Sequence, residues 1–277
     1  MTKSTLAATP DGHVLIPSAQ RNAKGEPRFN LVVAQNLMND LGVKHLIQQE
    51  VFHGGFEMPA RNFFDRHLTA GDVFMDVGAH MGMFTLSAAT AAPQVRVVAM
   101  EPHPVNLHYL IKSVHANQLQ DRVNVVAAAA DEVAGLVKLN ASQGTMGSSL
   151  LPHGEQVARA SRAAPLYVPA VSLDDVVAAT GNTHADRFFL KVDVEGVEPR
   201  VLSGGRALIE SGKVAAMLVE KGSNYDDAAH CATLAATLDW LAGLGFSFHR
   251  FDGDRQIPYT LSPGLTDILC LSPALAK

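Results

Sequence analysis

Two short stretches concentrate the residues able to do chemistry. The first is Asp76-Val77-Gly78-Ala79-His80-Met81-Gly82, a carboxylate closing an apolar run and leading into a turn punctuated by glycine. The second is Phe188-Phe189-Leu190-Lys191-Val192-Asp193-Val194-Glu195-Gly196. With a side-chain period of two, Lys191, Asp193 and Glu195 share one face of a strand. An interior parallel strand presents apolar residues on both faces, so charges there must pair with each other or meet a ligand. A Lys191–Asp193 or Lys191–Glu195 ion pair near the strand tip is the purely structural alternative.

The first stretch suits a nucleoside-bearing ligand. Gly78 and Gly82 let the backbone turn tightly and approach a ligand, and the next helix offers amide donors and a positive dipole end. A nicotinamide-binding loop shares this geometry but wants three glycines spaced G-x-G-x-x-G, and the third is missing. Asp76 would also repel a pyrophosphate, whereas it suits a sulfonium ligand carrying an amino group, which describes S-adenosylmethionine. Glu101 ends the following strand, and Pro102 biases it toward an extended conformation. Its carboxylate is therefore placed to accept both hydroxyls of a ribose. Asp131, beyond the third strand, suits the adenine amino group or is a simple turn residue beside Glu132. A methyl-transferring enzyme is the first expectation; a nicotinamide-dependent oxidoreductase and a non-catalytic donor-binding scaffold are the alternatives.

Were the acceptor a hydroxyl, a poor nucleophile, it would need a base, or a metal that lowers its pKa. Asp193 and Glu195 are the base candidates by position, and His80 is the third. Asp193 and Glu220 end adjacent strands, where two carboxylates suit a hard cation such as Mg2+; an ion pair of Glu220 with Lys221 or Lys191 is the alternative. His103, His108 and His115 lack the i, i+4 spacing of helical metal ligands and read as a solvated helix face. Ser148 and Ser149 lie in a Gly- and Ser-rich loop that reaches toward donor or acceptor, or is simply a connection.

Positioning these groups takes an alternation of strands and helices. From Gly71 the strands are Val73–Val77, 95–100, 123–130, 188–194 and 214–220, with helices over 83–91, 104–117, 199–211 and 228–244. Residues 246–251 and 267–271 read as a closing antiparallel pair. Residues 140–164 form a loop, preceded by a small strand at 135–139 and followed by an extended piece at 168–173 and a short helix to Ala179. Leu234, Leu238 and Leu241 follow helical spacing, with Trp240 bordering that face as a core residue. The whole reads as one doubly wound, mostly parallel α/β domain over 71–277, with ligands at the carboxyl ends of its strands. Residues 1–70 form a cap or lid, with helical spacing from Leu31 to Ile47, an extended piece from Gln48 to Phe56 and a helix from Pro59.

Composition sets the limits. The chain has 277 residues, 47% of them hydrophobic and 18% charged, so a large core needs no disulfide or metal. The cysteines, Cys231 and Cys270, are too few and too far apart for a disulfide framework and suit a reducing cytoplasm. A net charge of −5 and the lack of a basic run argue against a nucleic-acid substrate. No apolar stretch approaches the roughly 20 residues that span a bilayer. The expected partner is a small molecule, and the cap offers a surface for a homodimer.

Taken together, Asp76-Val77-Gly78-Ala79 with Gly82, Glu101-Pro102, Lys191-Val192-Asp193-Val194-Glu195-Gly196-Val197-Glu198 and Val201-Leu202-Ser203-Gly204 resemble the FkbM family of methyltransferases. Phe56-Glu57 also looks like a recurring element of that family. The resemblance runs from about Gly55 to Gly222. It implies a class I methyltransferase fold, a seven-stranded sheet in the order 3-2-1-4-5-7-6. It also implies S-adenosylmethionine as cofactor and methyl transfer to a hydroxyl, often on a polyketide, sugar or other secondary metabolite. Carried onto this chain, the donor site involves Asp76, Gly78, Ala79, Gly82, Glu101 and Asp131, and the Asp193 region borders both donor and acceptor.

Overall fold

The computed structural model describes residues 6–140, 148, 150, 166–222, 227–262, 264 and 266–276. The chain begins with an antiparallel sheet of β1 (Ala7–Ala8), β2 (His13–Pro17) and β3 (Asn30–Ala34). The apolar run Leu31-Val32-Val33, expected to start a helix, is β3 instead. All three side chains are buried, and β-branched residues fit a pleated surface. Asp40 then caps α1 (Leu41–Ile47), its carboxylate accepting the Val43 N–H at 3.0 Å. The expected extended piece after it is helical too. The chain continues through a wide turn over Gln48–Phe52, where the His53 N–H reaches the Gln48 carbonyl at 3.1 Å. Helix α2 (Met58–His67) follows.

The central layer is built from β4 (Val73–Val77), β5 (Arg96–Met100) and β6 (Val123–Val126), with α3 (Met83–Ala89) and α4 (Pro104–Ala116) between them. The predicted strand to Ala130 breaks after Val126. Its last part, β7 (Ala129–Ala130), pairs with β9 (Leu166–Val171), which also pairs with β8 (Gly135–Leu139) in a small separate sheet. Helix α5 (Leu173–Ala179) leads to β10 (Phe188–Val192). The single helix expected next is broken at Gly205 into α6 (Glu198–Gly204) and α7 (Arg206–Glu210). The chain closes with β11 (Val214–Lys221), α8 (Ala228–Gly243), β12 (Ser247–Asp252), β13 (Arg255–Pro258) and β14 (Thr266–Leu271).

The main sheet runs β13-β12-β14-β11-β10-β4-β5-β6. It has eight strands rather than the expected seven. The extra one, β13, is the return arm of a hairpin that turns at Gly253-Asp254, a short-loop signal present in the sequence. The strands from β11 to β6 are parallel, and β14, β12 and β13 are antiparallel.

The sheet separates two hydrophobic clusters. On one face the capping segment shares its core with the sheet: Phe63 and Phe64 of α2 are buried with Phe74, Phe84 and Phe189. The Phe64 and Phe74 rings meet edge-on at 4.9 Å. On the other face Val201, Leu202, Leu234 and Leu241 cover Met75, Leu190 and Met217. Trp240 is only partly buried. Its ring lies 4.4 Å from the Arg206 guanidinium, and its indole N–H donates to Glu210. No helix among the described residues is long and apolar enough to cross a membrane.

Candidate active site

The carboxyl ends of β4, β5 and β10 open onto a cavity of about 420 Å³. Its donor-loop side is lined by Asp76, Gly78, Ala79 and His80; beside them stand Glu101, Pro102 and Asn106, then Ala128–Ala130. The capping segment roofs it with His45, Leu46, Gln49, Phe56 and Glu57. Lys191, Asp193, Glu195 and Glu220 complete the wall, with Leu139, Ser148 and Leu150. Ser149 and most of the 140–164 loop lie outside the described residues.

Asp76 is buried within β4 and accepts the Thr85 hydroxyl at 2.6 Å. Burial raises its pKa, against the opposing pull of Lys191, its cross-strand partner on β10. The loop after β4 folds back on β5, where the Gly78 and Ala79 N–H groups both donate to the Met100 carbonyl. Gly78 has φ +85°, and a Cβ there would lie 1.8 Å from the Asp193 carbonyl oxygen. The glycine is therefore required by the contact between the tips of β4 and β10 as well as by the cavity. Gly82, also left-handed at φ +97°, does not line the cavity. It begins α3 against Leu110, which a Cβ would approach to 2.7 Å. What the structure gives Gly82 is a part in turning the chain into α3.

Glu101 holds the loop's other side. Its Oε2 accepts the His80 N–H at 2.8 Å and its Oε1 the His103 N–H at 2.7 Å. Burial pushes its pKa up to about 7, against the lowering effect of those two amides and the Asn106 side chain. Each oxygen keeps lone-pair capacity for a ligand hydroxyl. Asp131 is placed elsewhere. Its carboxylate forms a two-pronged ion pair with Arg200 of α6, with Nε–Oδ1 at 2.9 Å, and it is not among the residues lining the cavity. The cavity wall there is the chain just before it, Ala128–Ala130, because β7 turns out of the main sheet.

The second stretch behaves differently from a continuous strand. β10 ends at Val192, and by Glu195 the backbone is left-handed at φ +58°. The period-two face therefore stops at Asp193, and Glu195 stands exposed at the rim. The buried Glu198 ties the turn down by accepting the Val194 and Gly196 N–H groups at 3.2 and 3.0 Å. The Lys191–Asp193 ion pair is formed, at 2.6 Å. The Lys191 ammonium also lies 4.9 Å from the Phe84 ring centroid. Burial works to neutralise Lys191, but Asp193, Glu57, Glu220 and Asp267 outweigh it and hold the amine charged.

That cation decides the metal question. Burial works to raise the pKa of Asp193, but Lys191 and a hydrogen bond from Glu220 bring it down to about 2. Burial and the neighbouring Asp193 push Glu220 up to about 10, so Glu220 is a protonated donor at neutral pH. A divalent ion needs several free oxygen ligands, whereas Asp193 is already held by the Lys191 ammonium at 2.6 Å. Among the described residues, no three His, Cys, Asp or Glu side chains are placed to hold a metal. The Asp193–Glu220 pair therefore does not fit Mg2+. Lys221 does not pair with Glu220 but donates to the Gly264 carbonyl at 2.6 Å.

Residues 76–248, more than half of the chain, match the methyltransferase FkbM domain. The chain belongs to the FkbM methyltransferase family. This supersedes the oxidoreductase alternative. Among solved structures, an O-methyltransferase from Bacillus cereus in complex with SAH aligns over 83% of this chain and 84% of its own, at 10% identity and TM-score 0.46. The precorrin-6y C5,15-methyltransferase from Geobacter metallireducens GS-15 aligns over 79% and 89%, at 14% identity and TM-score 0.42. The METTL16 methyltransferase domain aligns over 91% and 85%, at 14% identity and TM-score 0.45. A search of curated proteins gave no match.

Sequence reasoning missed Asn106, which lines the cavity from the first turn of α4, and the site role of Glu57. The signals were present: Asn106 follows Glu101-Pro102 closely, and Phe56-Glu57 stands out ahead of the first strand.

Proposed function

We propose that this FkbM-family chain transfers a methyl group from S-adenosylmethionine to a hydroxyl on a small molecule. The observation that carries this reading is the shape of the cavity. A loop side flanked by Glu101, Asn106 and Ala128–Ala130 continues into a chamber under the cap, walled by Phe56, Leu46 and Phe84 and by buried carboxylates. The first part suits a nucleoside. Glu101 and Asn106 are polar groups for a ribose, the alanines leave a flat apolar edge for adenine, and Asp76 supplies negative charge near an amino group. When bound, the donor supplies an electrophilic methyl carbon. The chamber supplies enclosure and orientation, which account for much of the acceleration of an in-line displacement.

The chamber's charge favours a compact acceptor without phosphates. Glu57, Asp76, Glu101, Asp193 and Glu195 line the cavity, and the Lys191 ammonium is already held by Asp193. Apolar walls with a few polar groups describe a small-molecule site.

The test is methyl transfer from isotopically labelled S-adenosylmethionine into a metabolite extract of the source cells, read by product mass and linkage chemistry. Label on a hydroxyl oxygen supports the reading; label on nitrogen, or none, overturns it. Because the carboxylates do not fit a divalent cation, full transfer should survive a chelator, and loss of activity restored by Mg2+ would contradict that.

A further inference from the structure

Of Asp76, Glu101, Asp193, Glu220 and Glu57 in the cavity wall, all but one are accounted for by a hydrogen bond. Asp76 accepts from Thr85, Glu101 from two amides, Asp193 from Lys191 and Glu220, and Glu220 donates to Asp193. The exception is Glu57. Its Oε2 is shielded from solvent and has no hydrogen-bond partner among the described residues. A buried acceptor left unsatisfied costs free energy and calls for a reason. Glu57 is also held in a left-handed conformation, φ +47° and ψ +40°, at the start of α2. That is uncommon for a side chain bearing a Cβ, and it is a local strain that the surrounding packing must enforce. Its neighbours enforce it: the Glu57 carbonyl accepts the Arg61 N–H, and Arg61 is itself bound to the Phe56 carbonyl and to Glu50.

The two carboxylates expected to act as the base are poorly suited to it. Asp193 sits beside a buried ammonium and has little affinity for a proton. Glu195 stands at the solvent-exposed rim, outside the strand.

Resting on the hydroxyl-methylation reading, we propose that Glu57 is the catalytic base, its Oε2 taking the proton of the acceptor hydroxyl. In the step, an oxygen lone pair forms the new O–CH3 bond as the C–S bond breaks. That bond's electron pair stays on sulfur, leaving a neutral thioether. The hydroxyl proton passes to Glu57, which then releases it to solvent as product leaves. The unpaired Oε2 is thus the place kept for the substrate hydroxyl. Glu57 also has suitable proton affinity. Burial raises its pKa to about 7, with Lys191 and Arg61 lowering it and Asp267 and Asp193 raising it. A base near neutrality is half ionised at working pH and still strong enough to draw a proton.

Two measurements on the full chain test this with E57Q, which keeps the side chain's size. The first needs no acceptor: infrared difference spectra of the complex with S-adenosylhomocysteine, titrated from mildly acid to mildly alkaline pH. Wild type should lose the protonated-carboxyl absorbance of two groups near pH 7, Glu57 and Glu101, and E57Q that of Glu101 alone. A titrating band in E57Q as large as that of wild type overturns the proposal. The second is labelled-methyl transfer into the metabolite extract. Wild type should slow on the acid side of about pH 7, as the base becomes protonated. E57Q should fall by roughly 10²–10⁴-fold and lose that pH dependence, with calorimetric affinity for S-adenosylhomocysteine unchanged. A hydroxyl product made as fast by E57Q as by wild type overturns the base assignment and leaves the hydroxyl reading standing. Label on nitrogen, or on nothing, with wild type overturns the hydroxyl reading and the proposal with it.

Discussion

Glu101 binds two backbone amides while buried at the edge of the cavity, which gives it two separable roles. Removing it should weaken S-adenosylhomocysteine binding by roughly ten- to a hundredfold in calorimetry, from charge-assisted hydrogen bonds worth about 1.5–3 kcal/mol. Unchanged affinity in E101A would refute the ribose assignment. The same carboxyl has a stability signature. Its pKa is raised from 4.5 to about 7 on folding, so its contribution is full below pH 4.5 and lost as pH rises through about 7. Between those limits, denaturant unfolding should show E101Q gaining on wild type by about 3 kcal/mol. A constant gap across that window would show that the carboxyl is not so perturbed. Asp76 and Glu101 were legible in the sequence because each closes an apolar run beside a glycine or proline. Asp131 was not, because its partner Arg200 lies 69 residues away. Glu57 was visible only as one half of a Phe-Glu pair, since nothing local says that α2 will aim it under a roof.

At the scale of elements, the site is a junction between strand tips. The Gly78 backbone sits against the Asp193 peptide, and the Asp193 N–H donates to the Val77 carbonyl at 2.9 Å. Any side chain at Gly78 must push these tips apart, with about 1–3 kcal/mol more for its left-handed backbone. Gly78→Ala should therefore lower the melting temperature and abolish donor binding together; a variant that melts and binds like wild type would contradict the junction. The parallel strands and their helices were legible because apolar runs and glycine turns repeat along the chain. Two departures were less so. Ala127 to Ala130 continue the apolar run of β6 without a breaker, and only pairing with β9 far downstream turns them away. Asp252-Gly253 did announce β13, but the four residues that follow are mostly exposed and lack strand periodicity.

The whole molecule depends on how the cap is fastened. Arg61 is fully buried and binds Glu50 Oε2 at 2.6 Å and Gln20 Oε1 at 2.7 Å, and Gln20 accepts the Ser87 hydroxyl of α3. Arg28 adds Asp65 on one side and the Ser87 carbonyl on the other. Arg61→Met should leave Glu50 buried without its counter-ion and cost about 3–5 kcal/mol, measurable by denaturation. Combining it with Glu50→Leu should recover much of that loss; no recovery would mean the charge pair is not the cause. The share of the segment before Gly71 in the core was not legible, because its buried pairs join residues tens of positions apart. Since Phe56 and Glu57 line the chamber and are tied to Arg61, a compound bound in the chamber also holds the cap down. Ligand present at a hundred times its Kd stabilises the folded form by about 2.7 kcal/mol. Resistance of the first seventy residues to a protease therefore becomes a readout of chamber occupancy, able to pick the natural substrate out of a compound library before any methyl group has moved.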